Sequence, residues 1–200
     1  RVLHGAPTSI GVVGSGPIAQ TTLHFVKSLY TAAVPVKIHD LNSELVARMV
    51  TRRGPECSVV SLEEALGCDL VLLATNAGTP YVPMSVRFQP NQLILNISLR
   101  DLHPESIKTA NNVFDDVEHC LKANTTPNLL EQLNGNRDFV TGTLAEFICS
   151  EKQLDPDRPT VFSPFGLGIL DLAVAQSLYE HVQASGGGLR VPDFHGDMKR

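Results

Sequence analysis

Ser9-Ile10-Gly11-Val12-Val13-Gly14-Ser15-Gly16-Pro17-Ile18-Ala19-Gln20 is the stretch whose reading decides the fold. An apolar run of β type (Ile10, Val12, Val13) feeds a glycine turn, and the turn opens a helical pattern through residues 21–30. Strand, Gly-x-Gly-x-x-Ala and helix in that order form the context that makes a weak glycine motif a dinucleotide fingerprint. Gly14 permits the tight turn, and Gly16 carries no side chain to keep a pyrophosphate from the backbone. Ala19, in place of a third glycine, is small enough for the helix to pack on its strand. Pro17 falls in the first helical turn, where its missing N–H costs nothing. The turn Gly14-Ser15-Gly16-Pro17-Ile18 is therefore the expected phosphate cradle, its free N–H groups facing the anion at the positive end of the helix dipole.

Working outward, Val34-Pro35-Val36-Lys37-Ile38-His39-Asp40 reads as a second strand ending in an acid. Asp40 lies 26 residues after Gly14, a little beyond the spacing of about 20 usual for a ribose-binding acid. Its carboxylate can accept hydrogen bonds from both ribose hydroxyls and repels a 2′-phosphate, which favours NAD over NADP. The alternative is a turn or helix-capping aspartate before Leu41-Asn42-Ser43.

The following pattern alternates strand and helix. Residues 43–50 form an amphipathic helix, and Ser58-Val59-Val60 a short strand. Ser61 with Glu64 makes a capping box. Residues 69–74 and 93–97 are continuous apolar runs, the signature of strands buried on both faces of a parallel sheet. Asn111-Asn112-Val113-Phe114 is a sixth strand, and Pro159-Thr160-Val161-Phe162 a last one. Between them, Asn124-Thr125-Thr126-Pro127 is expected to end a helical piece, Asn134-Gly135-Asn136 to turn, and residues 141–150 to be helical. Residues 169–183 make the longest helix, with Leu170, Val174 and Leu178 on one face and Gly186-Gly187-Gly188 as its stop. The tail, residues 189–200, has few anchors. The fold class is α/β, a Rossmann-type doubly wound parallel sheet with helices on both faces.

The chain has 200 residues, 42% hydrophobic, 6% aromatic and 18% charged, which is ample material for a core. Its formal charge of −5 and lack of a basic block argue against nucleic acid or an anionic membrane as partner. No apolar run approaches the roughly 20 residues of a membrane span. Cys57, Cys68, Cys120 and Cys149 are widely spaced, and His119 beside Cys120 has no second ligand pair. Reduced thiols in a cytoplasmic protein are expected, with no metal site. The start at Arg1, with the glycine motif close behind, is expected of a piece of a longer protein.

Three motifs resemble the ornithine cyclodeaminase/μ-crystallin superfamily. The first is Gly14-Ser15-Gly16-Pro17-Ile18-Ala19 with Asp40. The second is Asn96-Ile97-Ser98-Leu99-Arg100-Asp101, which sits where that superfamily has N-A-x-G-x-D. The third runs from Val161 to Leu172 and parallels V-F-x-S-x-G-x-A-x-x-D-L, with Pro164 in place of the usual Ser and Gly168 in place of Ala. Asn96–Leu102, Gly135–Val140 and Ser163–Gly168 are most similar to the subgroup of 2,3-diaminopropionate biosynthesis dehydrogenases, which serve siderophore and peptide-antibiotic pathways. The resemblance covers nearly the whole chain.

It implies an NAD-dependent enzyme that oxidises and hydrolyses an N-substituted amino acid, a small-molecule substrate; the alternatives are an ornithine cyclodeaminase, which uses NAD within one turnover, and a non-catalytic NAD(H)-binding sensor or carrier of μ-crystallin type. It implies that Asp101 moves protons as the catalytic acid/base, that Ser98, Leu99, Phe165 and Gly166 flank the nicotinamide, and that Thr75 stands near its ribose. A helix-capping role before Leu102-His103-Pro104 is the other reading of Asp101. Arg100 and Arg137 are either grips for substrate carboxylates or ordinary surface charge. The superfamily's substrate and dimerisation half precedes its glycine motif, so the resemblance implies a homodimer formed through that half. Residues 1–168 are then the cofactor domain, with 169–200 a helix and tail packing on the other half.

Overall fold

The structure, a computed structural model, describes residues 6–30 and 33–192; residues 193–200 of the expected loose tail lie outside these. The chain falls into two compact units, one ending at Phe165 and the other beginning at Gly166.

The first unit is built on an eight-stranded sheet. Its strands are β1 (Ile10–Val13), β2 (Val36–His39), β3 (Cys57–Val59), β4 (Leu70–Leu73), β5 (Leu93–Asn96), β6 (Asn111–Phe114), β7 (Val140–Thr143) and β8 (Thr160–Ser163). They lie in the order β3-β2-β1-β4-β5-β8-β6-β7, and every pairing is parallel. The helices are α1 (Pro17–Ser28), α2 (Ser43–Arg53), α3 (Leu62–Leu66), α4 (Val117–Cys120), α5 (Thr126–Asn134) and α6 (Leu144–Ile148), with a 3₁₀ turn at Pro104–Ile107.

Successive strand residues point to opposite faces, so a sheet covered on both sides needs apolar residues at every position. Val12, Ile38 and Leu72 bury against Ala19 and Leu23 of α1 and Val46 and Met49 of α2. Val13, Leu73, Ile94 and Val161 bury on the other side against Ala65 and Leu66 of α3 and Leu130 of α5. Each valine, leucine, isoleucine or methionine side chain so removed from water contributes about 1.5–3 kcal/mol. The chain lays down β1, β2 and β3 in one direction, then returns to add β4 and β5 on the opposite side of β1. That reversal opens a crevice at the carboxyl ends of β1 and β4, the place where open α/β sheets take ligands.

Two expected elements differ. Asn124-Thr125-Thr126-Pro127 starts a helix rather than ending one: Thr125 caps α5, its side chain accepting from Asn128 N, and proline sits in the first turn. Residues 141–150 are not all helical. Val140–Thr143 pairs with β6 as an edge strand, and only then does Thr143 cap α6 through a capping box with Glu146. The capping box at Ser61 and Glu64 is present on α3.

The second unit contains α7 (Gly168–Ser185), which ends at Gly186 in the left-handed region with φ 65°. No residue of α7 is buried; Leu170, Val174 and Leu178 are all exposed.

Candidate functional site

The glycine turn closes β1 against its neighbours. Gly14 has φ +100° and donates its N–H to His39 O at 2.9 Å, and a Cβ here would lie 2.4 Å from Ala74 O. Gly16 caps α1 with no side-chain hydrogen bond, and Pro17 follows in the first turn. A Cβ added at Gly16 would meet nothing within 4 Å, so the space in front of this turn is open. No acidic residue occupies the first turn of α1, and Ile18 is exposed beside it. The first turn of α1 therefore offers helix N-terminal N–H groups to an anion with no acidic side chain among its own residues.

Ser15 is buried within the turn and joins it to Asp40 at the end of β2. Asp40 Oδ2 accepts from Ser15 N at 2.7 Å and from Ser15 Oγ at 2.5 Å, while Oδ1 accepts from Asn42 N at 2.8 Å. Burial opposes the charge on Asp40, but the bonds from Ser15 and Asn42 outweigh it and hold the carboxyl below its ordinary range. The cap of α2 is Asn42, whose Oδ1 accepts from Glu44 N and Leu45 N, so Asp40 is not the capping residue. A carboxylate offers about four acceptor sites, and three are filled here.

At the ends of β4 and β5 a second acid is enclosed. Asp101 has 0% exposure. Its Oδ1 accepts from Thr75 Oγ1 at 2.6 Å, and Oδ2 accepts from Ser98 Oγ at 2.6 Å and Tyr81 OH at 3.1 Å. Its backbone carbonyl accepts from Tyr81 N and Val82 N, so loop and carboxylate fix one another. Burial, then the neighbouring Asp101 charge, raises the Tyr81 phenol above its ordinary range. Asp101 caps no helix: the turn at Pro104–Ile107 is capped by His103, whose side chain accepts from Glu105 N. Thr75 and Ser98, expected beside the cofactor, thus give their hydroxyls to Asp101. Tyr81 was not among the expected residues; its signal was a phenol just after Thr79-Pro80 in a loop at a carboxyl strand end.

Beside this cage lies a shallow depression open to solvent, lined in part by Asn96, Ser98, Leu99, Ser163 and Phe165. Phe165 N donates to both carboxylate oxygens of Asp115, and the Cys120 thiol donates to Asp115 Oδ1 and Ser163 O. Burial, then the bond to Asp115, pushes that thiol up to about 12, which leaves Cys120 a packing residue rather than a nucleophile. Gly166 begins the second unit with φ +103°. Arg137 is committed to Glu118 and Glu131, and Arg100 donates to the carbonyls of Gly78 and Ala123. No group of three or more candidate ligands for a metal ion occurs among the described residues. Nor is any described helix long and apolar enough to cross a membrane.

Comparison with known proteins finds no matching protein-family model. Among curated proteins the chain is 27% identical over 184 residues to N-((2S)-2-amino-2-carboxyethyl)-L-glutamate dehydrogenase of Staphylococcus aureus, covering 86% of this chain and 54% of that protein. It is 29% identical over 188 residues to an NAD(P)H-dependent anabolic L-arginine dehydrogenase of Pseudomonas aeruginosa, covering 88% of this chain and 58% of that one. Among solved structures, an archaeal alanine dehydrogenase dimer with bound NAD superposes with a TM-score of 0.81 at 25% identity, covering 96% of this chain and 63% of that one. The chain spans a little over half the length of the curated relatives it matches. The resemblance to the ornithine cyclodeaminase/μ-crystallin superfamily, and within it to the diaminopropionate-forming dehydrogenases, fits these relatives.

Proposed function

We propose that this chain is the NAD-binding part of an amino-acid dehydrogenase that converts N-(2-amino-2-carboxyethyl)-L-glutamate to 2,3-diaminopropionate, 2-oxoglutarate and NADH, in siderophore or peptide-antibiotic biosynthesis. The observation that carries the cofactor reading is the junction of the glycine turn with Asp40 through Ser15. It fits a dinucleotide on two counts: Gly16 faces open space at a helix N-terminus, and a charged carboxylate stands at the end of the next strand. The turn holds the pyrophosphate, and Asp40 takes the ribose and disfavours a 2′-phosphate, which selects NAD.

When bound, NAD supplies the hydride acceptor. Loss of hydride from the glutamyl Cα would leave an iminium ion; water adds with loss of a proton, and the carbinolamine collapses with the amine departing as 2,3-diaminopropionate. A proton has to leave the water and a proton has to reach the departing nitrogen. Asp101, with the hydroxyls of Thr75, Ser98 and Tyr81 on it, suits this traffic, because each hydroxyl both donates and accepts. In the same reading the intact protein is a cytoplasmic homodimer, with residues 1–168 as cofactor domain and 169–200 packing on a substrate domain.

The test uses full-length protein and follows NADH absorbance and ammonia, with the glutamate–diaminopropionate conjugate and separately with ornithine. NADH from the conjugate without ammonia is the expected result. Ammonia from ornithine with no net NADH would make the protein a cyclodeaminase.

A further inference from the structure

We infer that Asn96 selects the nicotinamide end of the cofactor by its neutral carboxamide, rejecting the nicotinic-acid form of the dinucleotide. The inference rests on the cofactor reading above and adds to it a residue that sets specificity.

Asn96 ends β5 and is 2% exposed. Its Nδ2 donates to Ser163 Oγ at 3.0 Å, but Oδ1 is buried with no hydrogen-bond partner. A buried acceptor left unmade costs about 1–3 kcal/mol, so such an atom calls for an explanation. The other polar groups around the depression are engaged: Ser98 Oγ donates to Asp101, Thr125 Oγ1 to Cys120 O, and the Cys120 thiol to Ser163 O. Asn112 Oδ1 is also buried without a partner, but Asn112 does not line the depression.

Position and chemistry favour the same occupant. Asp40 follows the last residue of β2 and Asn96 ends β5, three strand spacings away in the order β2-β1-β4-β5, or about 14 Å along one edge. A dinucleotide whose ribose lies at Asp40 and whose pyrophosphate lies at Gly16 runs along that edge towards β5. There Leu99 and Phe165, each about two-fifths exposed, offer apolar surface to a flat ring. No charged residue lines the depression. A substrate carboxylate or a nicotinic-acid carboxylate would find no counter-charge and would face the Asn96 oxygen. A carboxamide brings N–H donors to that oxygen.

The experiment measures dissociation constants of the chain for NAD, nicotinic acid adenine dinucleotide and ADP-ribose by titration calorimetry, with Asn96→Leu and Ser163→Ala beside the unsubstituted protein. NAD is expected to bind at least about tenfold more tightly than its nicotinic-acid analogue, the worth of one hydrogen bond to a buried acceptor. Asn96→Leu is expected to reduce that preference severalfold, and Ser163→Ala to reduce it less, while ADP-ribose affinity stays constant. Equal binding of NAD and the nicotinic-acid analogue by the unsubstituted protein overturns the inference and leaves the cofactor reading intact; this comparison requires no variant to fold. A preference undiminished in Asn96→Leu also overturns it, as does loss of ADP-ribose affinity in that variant in step with NAD. Failure of the unsubstituted protein to bind ADP-ribose removes the cofactor reading itself, and the inference with it.

Discussion

Tyr81 OH and Asp101 Oδ2 meet at 3.1 Å, joining a loop phenol to an acid that has 0% exposure. Thr75 and Ser98 complete the set of hydroxyl donors on that carboxylate. Substituting Tyr81→Phe removes one donor from a buried carboxyl group and is expected to lower unfolding free energy by about 1–3 kcal/mol in urea titrations. The phenol itself resists ionisation because burial and then the Asp101 charge raise its pKa. The unfolded chain loses that proton near pH 10 while the folded chain keeps it, so this group lowers stability as pH rises above about 10. Tyrosinate absorbance is expected to show a step well above the ordinary tyrosine range, and Tyr81→Phe to remove that step.

Asp40 shifts the other way. Its folded pKa is lowered because bonds from Ser15 and Asn42 outweigh burial, so its contribution is present above the unfolded value of about 3.9. That contribution is lost as pH falls through the folded value. Asp40→Asn is expected to flatten the acid limb of a stability–pH curve relative to the unsubstituted chain. Asp40→Ala is expected to remove most of the NAD affinity and to narrow the gap between NAD and NADP. A titration unchanged by Asp40→Ala would withdraw the ribose assignment.

The parts legible in the sequence were those with a repeating physical cause. Apolar runs at residues 69–74 and 93–97 gave β4 and β5 because both sheet faces are covered. The capping box at Ser61 needed only local chemistry. β7 escaped notice because Val140–Thr143 is four residues long, contains Gly142 and runs straight into a capping threonine. The hydroxyl cage was half legible. Asp101, Thr75 and Ser98 were candidates, but Tyr81 is twenty residues from Asp101 in the chain and only folding brings them together.

Asn124-Thr125-Thr126-Pro127 reads in the sequence as a helix end, yet a proline is equally at home in a first turn. The structure makes Thr125 the cap of α5, accepting from Asn128 N at 3.2 Å and donating to Cys120 O. Thr125→Ala is expected to cost about 1–2 kcal/mol, against a few tenths for Thr125→Ser, in denaturant unfolding. Equal stability of Thr125→Ala and the unsubstituted chain would mean that the cap contributes nothing.

Gly14 and Gly16 stand two residues apart, yet their substitutions separate folding from binding. At Gly14 a Cβ would press within 2.4 Å of the Ala74 carbonyl and require φ near +100°. The obstacle is backbone, which cannot swing aside, and the positive φ adds its own strain of about 1–3 kcal/mol. Gly14→Ala is therefore expected to lower the melting temperature strongly, with any loss of NAD binding following from loss of folded protein. At Gly16 the backbone is in the extended region and a Cβ meets nothing within 4 Å. Gly16→Val is expected to melt within a few degrees of the unsubstituted chain. It should nonetheless lose NAD affinity at least tenfold, because the new side chain occupies the space a pyrophosphate needs. ADP-ribose, which carries the same pyrophosphate, is expected to lose affinity in parallel. Retention of ADP-ribose binding by a folded Gly16→Val chain would move the phosphates away from this turn.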